Sequence, residues 1–268
     1  MPIRPNRMLL ALGLLTLVAL GGCATRPPAD DPEAIADFRQ TNDPVEPLNR
    51  TMYSVHQGID EYVLRPVAVG YREVVPRPVR MGVRNFLGNL RTPVILANDM
   101  LQGEPRRAGD TAGRFLINST LGLGGIFDVA RDHFNVPGHT EDYGQTFAVW
   151  GIGEGPYLFL PIIGPSNARD LVGFGVGLVA DPFFWFGQGA VVQALDYTRV
   201  GATAVDTREG LIETLDDVQR TSLDPYATLR SGYRQNRAAQ IENRLDPRAG
   251  QAGVGTGFGT GAGGAAPR

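Results

Sequence analysis

Apolar residues recur at helical spacing over most of the chain, in runs that are separated by glycine and proline. The first run begins after Asn42-Asp43-Pro44, where Asp43 is expected to cap the helix and Pro44 to occupy its first turn. Its apolar stripe consists of Leu48, Met52, Val55 and Ile59. Because the alternating pattern of a half-buried strand is hard to find, the sequence predicts a mainly α fold.

Two further helices are predicted near the end of the patterned region. One spans Thr207 to Gln219 and aligns Leu211, Leu215 and Val218. The other begins at Asp224-Pro225, and its apolar face contains Tyr226, Leu229 and Tyr233. Its opposite side is expected to carry Arg230, Arg234 and Arg237.

The segment from Leu171 to Val192 is apolar except for Asp181, and its length suits a membrane-spanning helix of roughly 20 residues. Asp181-Pro182 interrupts its centre, however, and proline breaks the hydrogen-bond ladder of a helix. Two half-length segments that meet at a turn are therefore predicted, forming a hairpin that enters one membrane leaflet. The alternative is a buried hairpin in a soluble protein. Aromatic residues expected to be membrane-embedded are Phe183, Phe184, Trp185 and Phe186.

A second apolar segment runs from Phe147 to Ile163. Trp150 and Tyr157 are of the type that settles at membrane interfaces, and Phe159 lies beside them. We expect these three residues to be membrane-embedded as well, although scattered aromatic residues more often belong to a protein core.

The beginning of the chain has the three parts of a secretory signal: two arginines, an apolar run and a pair of small residues. Leu20-Gly21-Gly22-Cys23 resembles the bacterial lipobox, in which cleavage precedes the cysteine and the thiol receives a lipid. An ordinary cleaved signal followed by a stray cysteine is the alternative. Cys23 is the only cysteine of the chain, so it forms no internal disulfide, and lipidation explains its position. Ala24 follows it, where lipoproteins retained at the inner membrane often carry Asp, which predicts sorting to the outer membrane.

These signals divide the chain into a signal peptide at 1–22, a lipidated linker at 23–41, a helical domain at 42–245 and a tail at 246–268. The tail is rich in Gly and Ala and is expected to be disordered, because it has too few apolar residues to bury a core. The chain has 25 basic and 28 acidic side chains, and two of the basic ones belong to the signal peptide. Such an acidic balance does not suggest a nucleic-acid partner.

The sequence contains only weak signals for catalysis or metal binding. The Gly-x-Ser-x-Gly pattern of serine hydrolases does not occur. His133 and His139 share a turn-rich segment with Asp132, Glu141 and Asp142, but the spacing matches no standard metal site, and exposed loop residues are the ordinary interpretation. No catalytic residue, metal or cofactor is therefore predicted.

A series of short motifs gives the chain a more specific signature between Asn42 and Arg237. Each is weak alone, and their order carries the information. They are Asn42-Asp43-Pro44, Glu46, Asn49-Arg50, Tyr53, Arg65-Pro66, Val79-Arg80, Asn85-Phe86, Asn89-Leu90, Asn98, Leu101-Gln102-Gly103, Arg114-Phe115, Asn118, Gly122, Gly124-Gly125, Asp128, Gly144-Gln145-Thr146, Trp150-Gly151, Gly155-Pro156-Tyr157, Leu160-Pro161, Gly164-Pro165-Ser166, Arg169-Asp170, Asp224-Pro225-Tyr226, Arg230 and Tyr233. In this set the chain resembles the MlaA (VacJ) family.

The resemblance implies a non-enzymatic phospholipid-transport lipoprotein of the outer membrane, anchored by lipid and facing the periplasm. It implies a single ring- or disc-like helical domain embedded in one membrane leaflet, with an amphipathic channel through its middle. Mislocalised phospholipids would leave the outer leaflet through this channel and pass to a soluble periplasmic phospholipid-binding protein, which maintains lipid asymmetry. A trimeric porin is the implied partner.

A phospholipid channel needs polar side chains for the headgroup, and charged side chains are costly at bilayer depth unless they face protein or water. Arg169, Asp170 and Asp181 flank or interrupt the two apolar segments, so they are candidates for the headgroup path. For Arg169 and Asp170 the alternative is a structural salt bridge or a helix cap. Two other classes remain for the whole protein: a scaffolding lipoprotein without transport activity, and a periplasmic phospholipase.

Overall fold

The computed structural model describes Thr41, residues 43–186 and residues 189–243. The predicted signal peptide, Cys23, the linker up to residue 40 and the tail at 246–268 lie outside the described residues. The side chain of Phe186 also lies outside them.

The described chain is mainly helical, as the sequence predicts. Helix α1 (Glu46–Ile59) continues through a π-helical turn (Asp60–Leu64) into α2 (Arg65–Val74). The remaining helices are α3 (Arg77–Leu101), α4 (Pro105–Thr120), α5 (Val129–Phe134), α6 (Tyr143–Val149), α7 (Ala168–Ala180), α8 (Pro182–Phe186), α9 (Ala190–Gly210), α10 (Ile212–Thr221) and α11 (Pro225–Ile241).

The two predicted Asp-Pro helix starts differ in the structure. Asp224 caps α11, because its carboxylate accepts a hydrogen bond from the backbone nitrogen of Ala227 at 3.1 Å. Asp43, in contrast, does not cap α1, which begins later, at Glu46, and has no side-chain cap. The buried Asp43 carboxylate instead accepts hydrogen bonds from other elements, so the prediction for Asp43 is wrong.

The prediction that the arginines of α11 lie opposite its apolar face is wrong for Arg237. Tyr226, Leu229 and Tyr233 are buried as predicted, but Arg237 is buried with them. Its guanidinium is accommodated because two carboxylates pair with it.

The predicted breaks within the apolar regions are partly confirmed. Helix α7 ends at Ala180, and Asp181-Pro182 begins the short helix α8, where the sequence predicts a turn. The returning half is much longer than expected, since α9 runs to Gly210 and packs mainly against α2 and α3. The helix predicted from Thr207 to Gln219 is divided at Leu211, the residue between α9 and α10.

Two short strands were not predicted. Strand β1 (Tyr157–Leu160) pairs with β2 (Gly164–Asn167) in an antiparallel hairpin that joins Tyr157 to Asn167. Four residues are too few for the alternating pattern to stand out in the sequence.

This hairpin overturns the predicted membrane exposure of Tyr157 and Phe159. The two side chains point to the buried face of β1, and they are only 1% and 2% exposed. They pack with Tyr226 and Tyr233 of α11 in the main apolar core. Residues two apart on a strand share one face, which explains why both are buried.

Large apolar side chains are exposed over much of the molecule, whereas the buried apolar core is small. Examples in the segment from Leu171 to Val192 are Val172 at 60% exposure and Val179 at 49%. None of the helices within the described residues combines the length and the apolar character that crossing a membrane requires.

Candidate functional site: two adjoining cavities

The larger cavity has a volume of about 480 Å³ and is called the central cavity here. Helices α3, α7 and α9 and the β hairpin contribute most of its wall, and the end of α1, the π-helical turn, the start of α6, α10 and α11 contribute the rest. Apolar side chains dominate the lining, among them Leu64, Leu87, Val94, Phe159, Phe174, Leu178, Val200 and Leu211.

Two ion pairs interrupt this apolar wall. Arg208 of α9 donates two hydrogen bonds to Asp60, at 2.6 Å and 2.7 Å, and both side chains are buried. Arg199 donates to Asp181 at 2.7 Å. Asp181 therefore lies on the cavity wall, where the headgroup-path prediction needs it, and its charge is balanced by Arg199. The central cavity is thus amphipathic, and these four charges are held in pairs against apolar surroundings.

The π-helical turn places Asp60 in this pair. A π-helical turn contains one extra residue relative to an α-helix and often occurs at functional sites. No sequence signal in the apolar stripe of α1 indicates this irregularity. Asp60 and Arg208 were therefore not among the predicted site residues.

Arg169 and Asp170 are not among the residues that line the central cavity. Arg169 pairs with Asp170 at 3.0 Å in the first turn of α7, and Arg237 of α11 pairs with the other oxygen of Asp170 at 2.6 Å. Arg237 also binds Asp142, the cap of α6, at 2.7 Å. This network, which is buried except at the partly exposed Asp142, joins three helices, and the alternative of a structural salt bridge fits the positions of Arg169 and Asp170.

The Asp142 carboxyl shows how strong this network is. Burial alone would raise its pKa, but hydrogen bonds and the charge of Arg237 outweigh burial and hold the pKa of Asp142 far below the ordinary value. Asp142 is therefore ionised at neutral pH.

The remaining predicted membrane residues divide into two groups. Trp150 and Trp185 are 54% and 61% exposed, and each indole nitrogen donates to a backbone carbonyl, at 3.0 Å and 2.7 Å. Phe184 is exposed beside Trp185. Phe183 is partly covered, because the guanidinium of Arg199 lies 4.5 Å from its ring centre.

The smaller cavity has a volume of about 200 Å³ and is called the polar cavity. Helices α3 and α4, the segment from 128 to 141 and the end of α11 line it. Its wall carries five arginines and two carboxylates: Arg84, Arg91, Arg107, Arg114, Arg131, Asp128 and Glu141. Arg91 of α3 lines both cavities, which makes it part of the wall that they share.

His139 and Glu141 adjoin the polar cavity, and they are less exposed than the sequence suggested. They approach Asp99, and the possible ligand atoms of the three side chains lie within 4.8 Å of one another. Protein groups already occupy these atoms: His139 Nε2 lies 2.8 Å from Asp99, and Arg107 donates to Glu141 at 2.7 Å. We interpret the group as an internal hydrogen-bond network rather than a metal site.

Together these features define a class: a mainly α protein that contains an amphipathic internal cavity and exposes many large apolar side chains. Comparison with known proteins specifies it further. The sequence profile of the MlaA lipoprotein family matches residues 41–240. The chain belongs to the MlaA lipoprotein family.

Individual relatives agree with this assignment. The intermembrane phospholipid transport system lipoprotein MlaA of Escherichia coli (strain K12) is 36% identical over 233 residues, which cover 84% of each chain. The protein of the same name from Haemophilus influenzae is 34% identical, over 83% of this chain and 86% of the relative. A solved structure from work on the structural basis for maintenance of bacterial outer membrane lipid asymmetry matches with a TM-score of 0.64 and 33% identity. The match covers 74% of this chain and 98% of that one.

Proposed function

We propose that this protein removes mislocalised phospholipids from the outer leaflet of the outer membrane through the central cavity. The observation that carries the proposal is the amphipathic wall of that cavity, which offers apolar surface to acyl chains and paired charges to a headgroup. The names of the E. coli and H. influenzae relatives, which include phospholipid transport, support the same function.

We further propose that the domain sits in one leaflet of the outer membrane, on the periplasmic side, held by lipid on Cys23. The lipobox-like sequence before Cys23 supports the anchor. The exposed apolar side chains support contact with lipid, because large apolar patches on a protein surface are typical of membrane or protein interfaces. Trp150 and Trp185 combine an apolar ring with a satisfied indole nitrogen, which suits the interface region.

Transport from the outer membrane needs an acceptor on the periplasmic side. We propose a soluble periplasmic phospholipid-binding protein for this role and a trimeric porin as the membrane partner, both on the basis of the family resemblance. The name of the E. coli relative places that protein in an intermembrane transport system, which supports an acceptor beyond the membrane.

The test measures the phospholipid content of the outer leaflet in a strain from which the gene has been deleted. The strain is complemented with one of several alleles at a time. Wild type should restore a phospholipid-poor outer leaflet, and Cys23→Ala should not. Ala204→Trp should also fail, because Ala204 lines the central cavity and an indole there would fill it. Thr198→Trp places the same side chain on an exposed part of α9 that does not line the cavity, and it should restore clearance.

An outer leaflet that is unchanged by deletion of the gene would exclude the transport function and favour the scaffolding alternative. Release of headgroups from phospholipid by the purified protein would favour the phospholipase.

A further inference from the structure

Arg91 occupies an unusual position, because its side chain lines both the central cavity and the polar cavity. It lies near the middle of α3, where it is half-buried. Across residues 43–186 and 189–243 no hydrogen bond or ion pair is formed by the guanidinium of Arg91. A cation with five N–H donors is thus placed between two compartments without a matching acceptor from the described protein.

The other arginines of the polar cavity are different, because each pairs with a carboxylate. Arg84 binds Asp206 at 2.9 Å, and Arg107 binds Glu141 at 2.7 Å. Arg114 and Arg131 bind Asp128 and Asp132 at 2.9 Å and 2.7 Å. Their charges are balanced by carboxylates of the protein, so we assign these arginines a structural role in the cavity wall rather than a role in ligand binding.

The carboxylate on which Arg91 acts electrostatically is Asp142, and its pKa is lowered in part by the charge of Arg91. Asp142 is already engaged, however, since Arg237 donates to its two oxygens at 2.7 Å and 2.8 Å. Arg91 therefore contributes positive charge to the space between the cavities, and its donors remain available to an anion that enters from either side.

We propose that Arg91 binds the phosphodiester group of a phospholipid as the headgroup moves between the central cavity and the polar cavity. The arginine fork matches two phosphate oxygens, and charge-assisted hydrogen bonds of this kind are strong and geometrically specific. The acyl chains would remain against the apolar wall of the central cavity. This inference rests on the proposed function and adds the residue that selects for a phosphate-bearing lipid.

Free phosphate offers the same oxyanion as a phospholipid headgroup. The two sources differ in what else they carry, because only the phospholipid also occupies the apolar wall. The phospholipid is favoured here, since Arg91 belongs to the lining of the apolar cavity as well as that of the polar one.

The experiment uses the full-length lipidated protein in detergent micelles with two photoactivatable probes, a phosphatidylglycerol and a diacylglycerol that lacks the phosphate. The covalently captured fraction is measured for wild type, Arg91→Gln, Arg91→Lys and Ala204→Trp. Arg106→Gln is the matched control, because it removes one arginine that is exposed and lines neither cavity. Thermal unfolding of each variant shows whether the fold persists.

Wild type and Arg106→Gln should capture both probes, and Ala204→Trp should capture neither. Arg91→Gln should lower capture of phosphatidylglycerol by about tenfold, the effect of losing one to two charge-assisted hydrogen bonds, and leave capture of diacylglycerol unchanged. Arg91→Lys keeps the positive charge but not the forked guanidinium, so its capture of phosphatidylglycerol should lie between that of wild type and that of Arg91→Gln.

Equal loss of both probes in a folded Arg91→Gln protein would overturn the inference, because it would indicate a change of cavity shape. Undiminished phosphatidylglycerol capture by Arg91→Gln would overturn it too, while leaving the proposed function intact. Wild type that captures neither probe would instead refute the proposed function. Titration of inorganic phosphate into the wild-type protein distinguishes the sources: Arg91-dependent binding of phosphate as tight as that of the lipid would assign the site to free anions and overturn the inference.

Discussion

Buried carboxylates position the helices, because each accepts hydrogen bonds from residues that are distant in the chain. Asp43 is the clearest case, since it is 5% exposed and accepts from Asn49 at 2.8 Å and from Arg230 at 2.7 Å, as well as from the hydroxyl of Tyr226. These contacts connect the start of the described domain to its last helix. Removal of one partner from such a group leaves the others buried without compensation.

Asp43→Ala is therefore expected to destabilise the domain by about 3 kcal/mol or more, as is usual when one member of a buried ion pair is lost. The midpoint of urea unfolding, measured by circular dichroism in detergent, checks this. Asp217→Ala is the control, because Asp217 pairs with Arg220 on the exposed surface, and its removal should leave the midpoint unchanged. Equal midpoints for the two variants would show that the Asp43 contacts do not stabilise the fold.

Because the pKa of Asp142 is lowered, we expect this residue to stabilise the fold less at acidic pH than at neutral pH. A carboxyl whose pKa is depressed by folding stabilises the protein fully above its unfolded pKa, about 4, and loses that contribution as the pH falls toward the folded pKa. The difference in unfolding free energy between wild type and Asp142→Asn should therefore shrink below about pH 4. Urea unfolding of both proteins at pH 7 and pH 3 measures this difference in unfolding free energy. A difference of the same size at the two pH values would show that Asp142 does not have a lowered pKa in the folded protein.

Helices α6 and α7 cross at two glycines, and this contact sets the distance between their axes. A Cβ atom on Gly173 would lie 2.3 Å from the backbone nitrogen of Gly144 and 2.7 Å from its Cα. Gly175, two residues further along α7, has open space around it. The sequence shows only that glycine is frequent in this segment, because the partner that distinguishes Gly173 from Gly175 comes from another helix.

Gly173→Ala should therefore destabilise the domain by roughly 1–3 kcal/mol, because the backbones must separate to admit the methyl group. Gly175→Ala adds the same methyl group to the same helix and should be neutral or slightly stabilising, since alanine favours helices over glycine. Thermal unfolding of the two variants measures the contrast. Similar melting temperatures would show that α6 and α7 tolerate a wider crossing.

At the scale of the whole molecule, apolar surface is distributed to the outside and to the central cavity more than to a single core. The composition and the two apolar segments indicate this property, and helical periodicity predicts most helices and the break at Asp181-Pro182. The burial of Tyr157 and the pairing of Asp60 with Arg208 could not be predicted. Both depend on contacts between residues about 70 to 150 positions apart, which local patterns do not encode.

The exposed apolar surface predicts binding to lipid even without the anchor. The chain with Cys23→Ala should sediment with phospholipid vesicles, and adding Val172→Glu should weaken that association, because a charge on an apolar contact surface is costly to desolvate. Ser231→Glu, on an exposed polar part of α11, adds the same charge and should have little effect. Vesicle co-sedimentation that is equally reduced by both would indicate general electrostatic repulsion instead.

The ion pairs that join the start of the domain to its later helices also determine when the domain can fold during synthesis. Asp60 and Arg208 are 148 residues apart, and Asp43 and Arg230 are 187 residues apart. Neither pair can form until nearly the whole helical region has been synthesised. Contacts of such long sequence separation also slow folding, because the loop must close before they form. We therefore expect the emerging chain to expose its apolar helices for most of its synthesis and to depend on a chaperone that holds it until it folds.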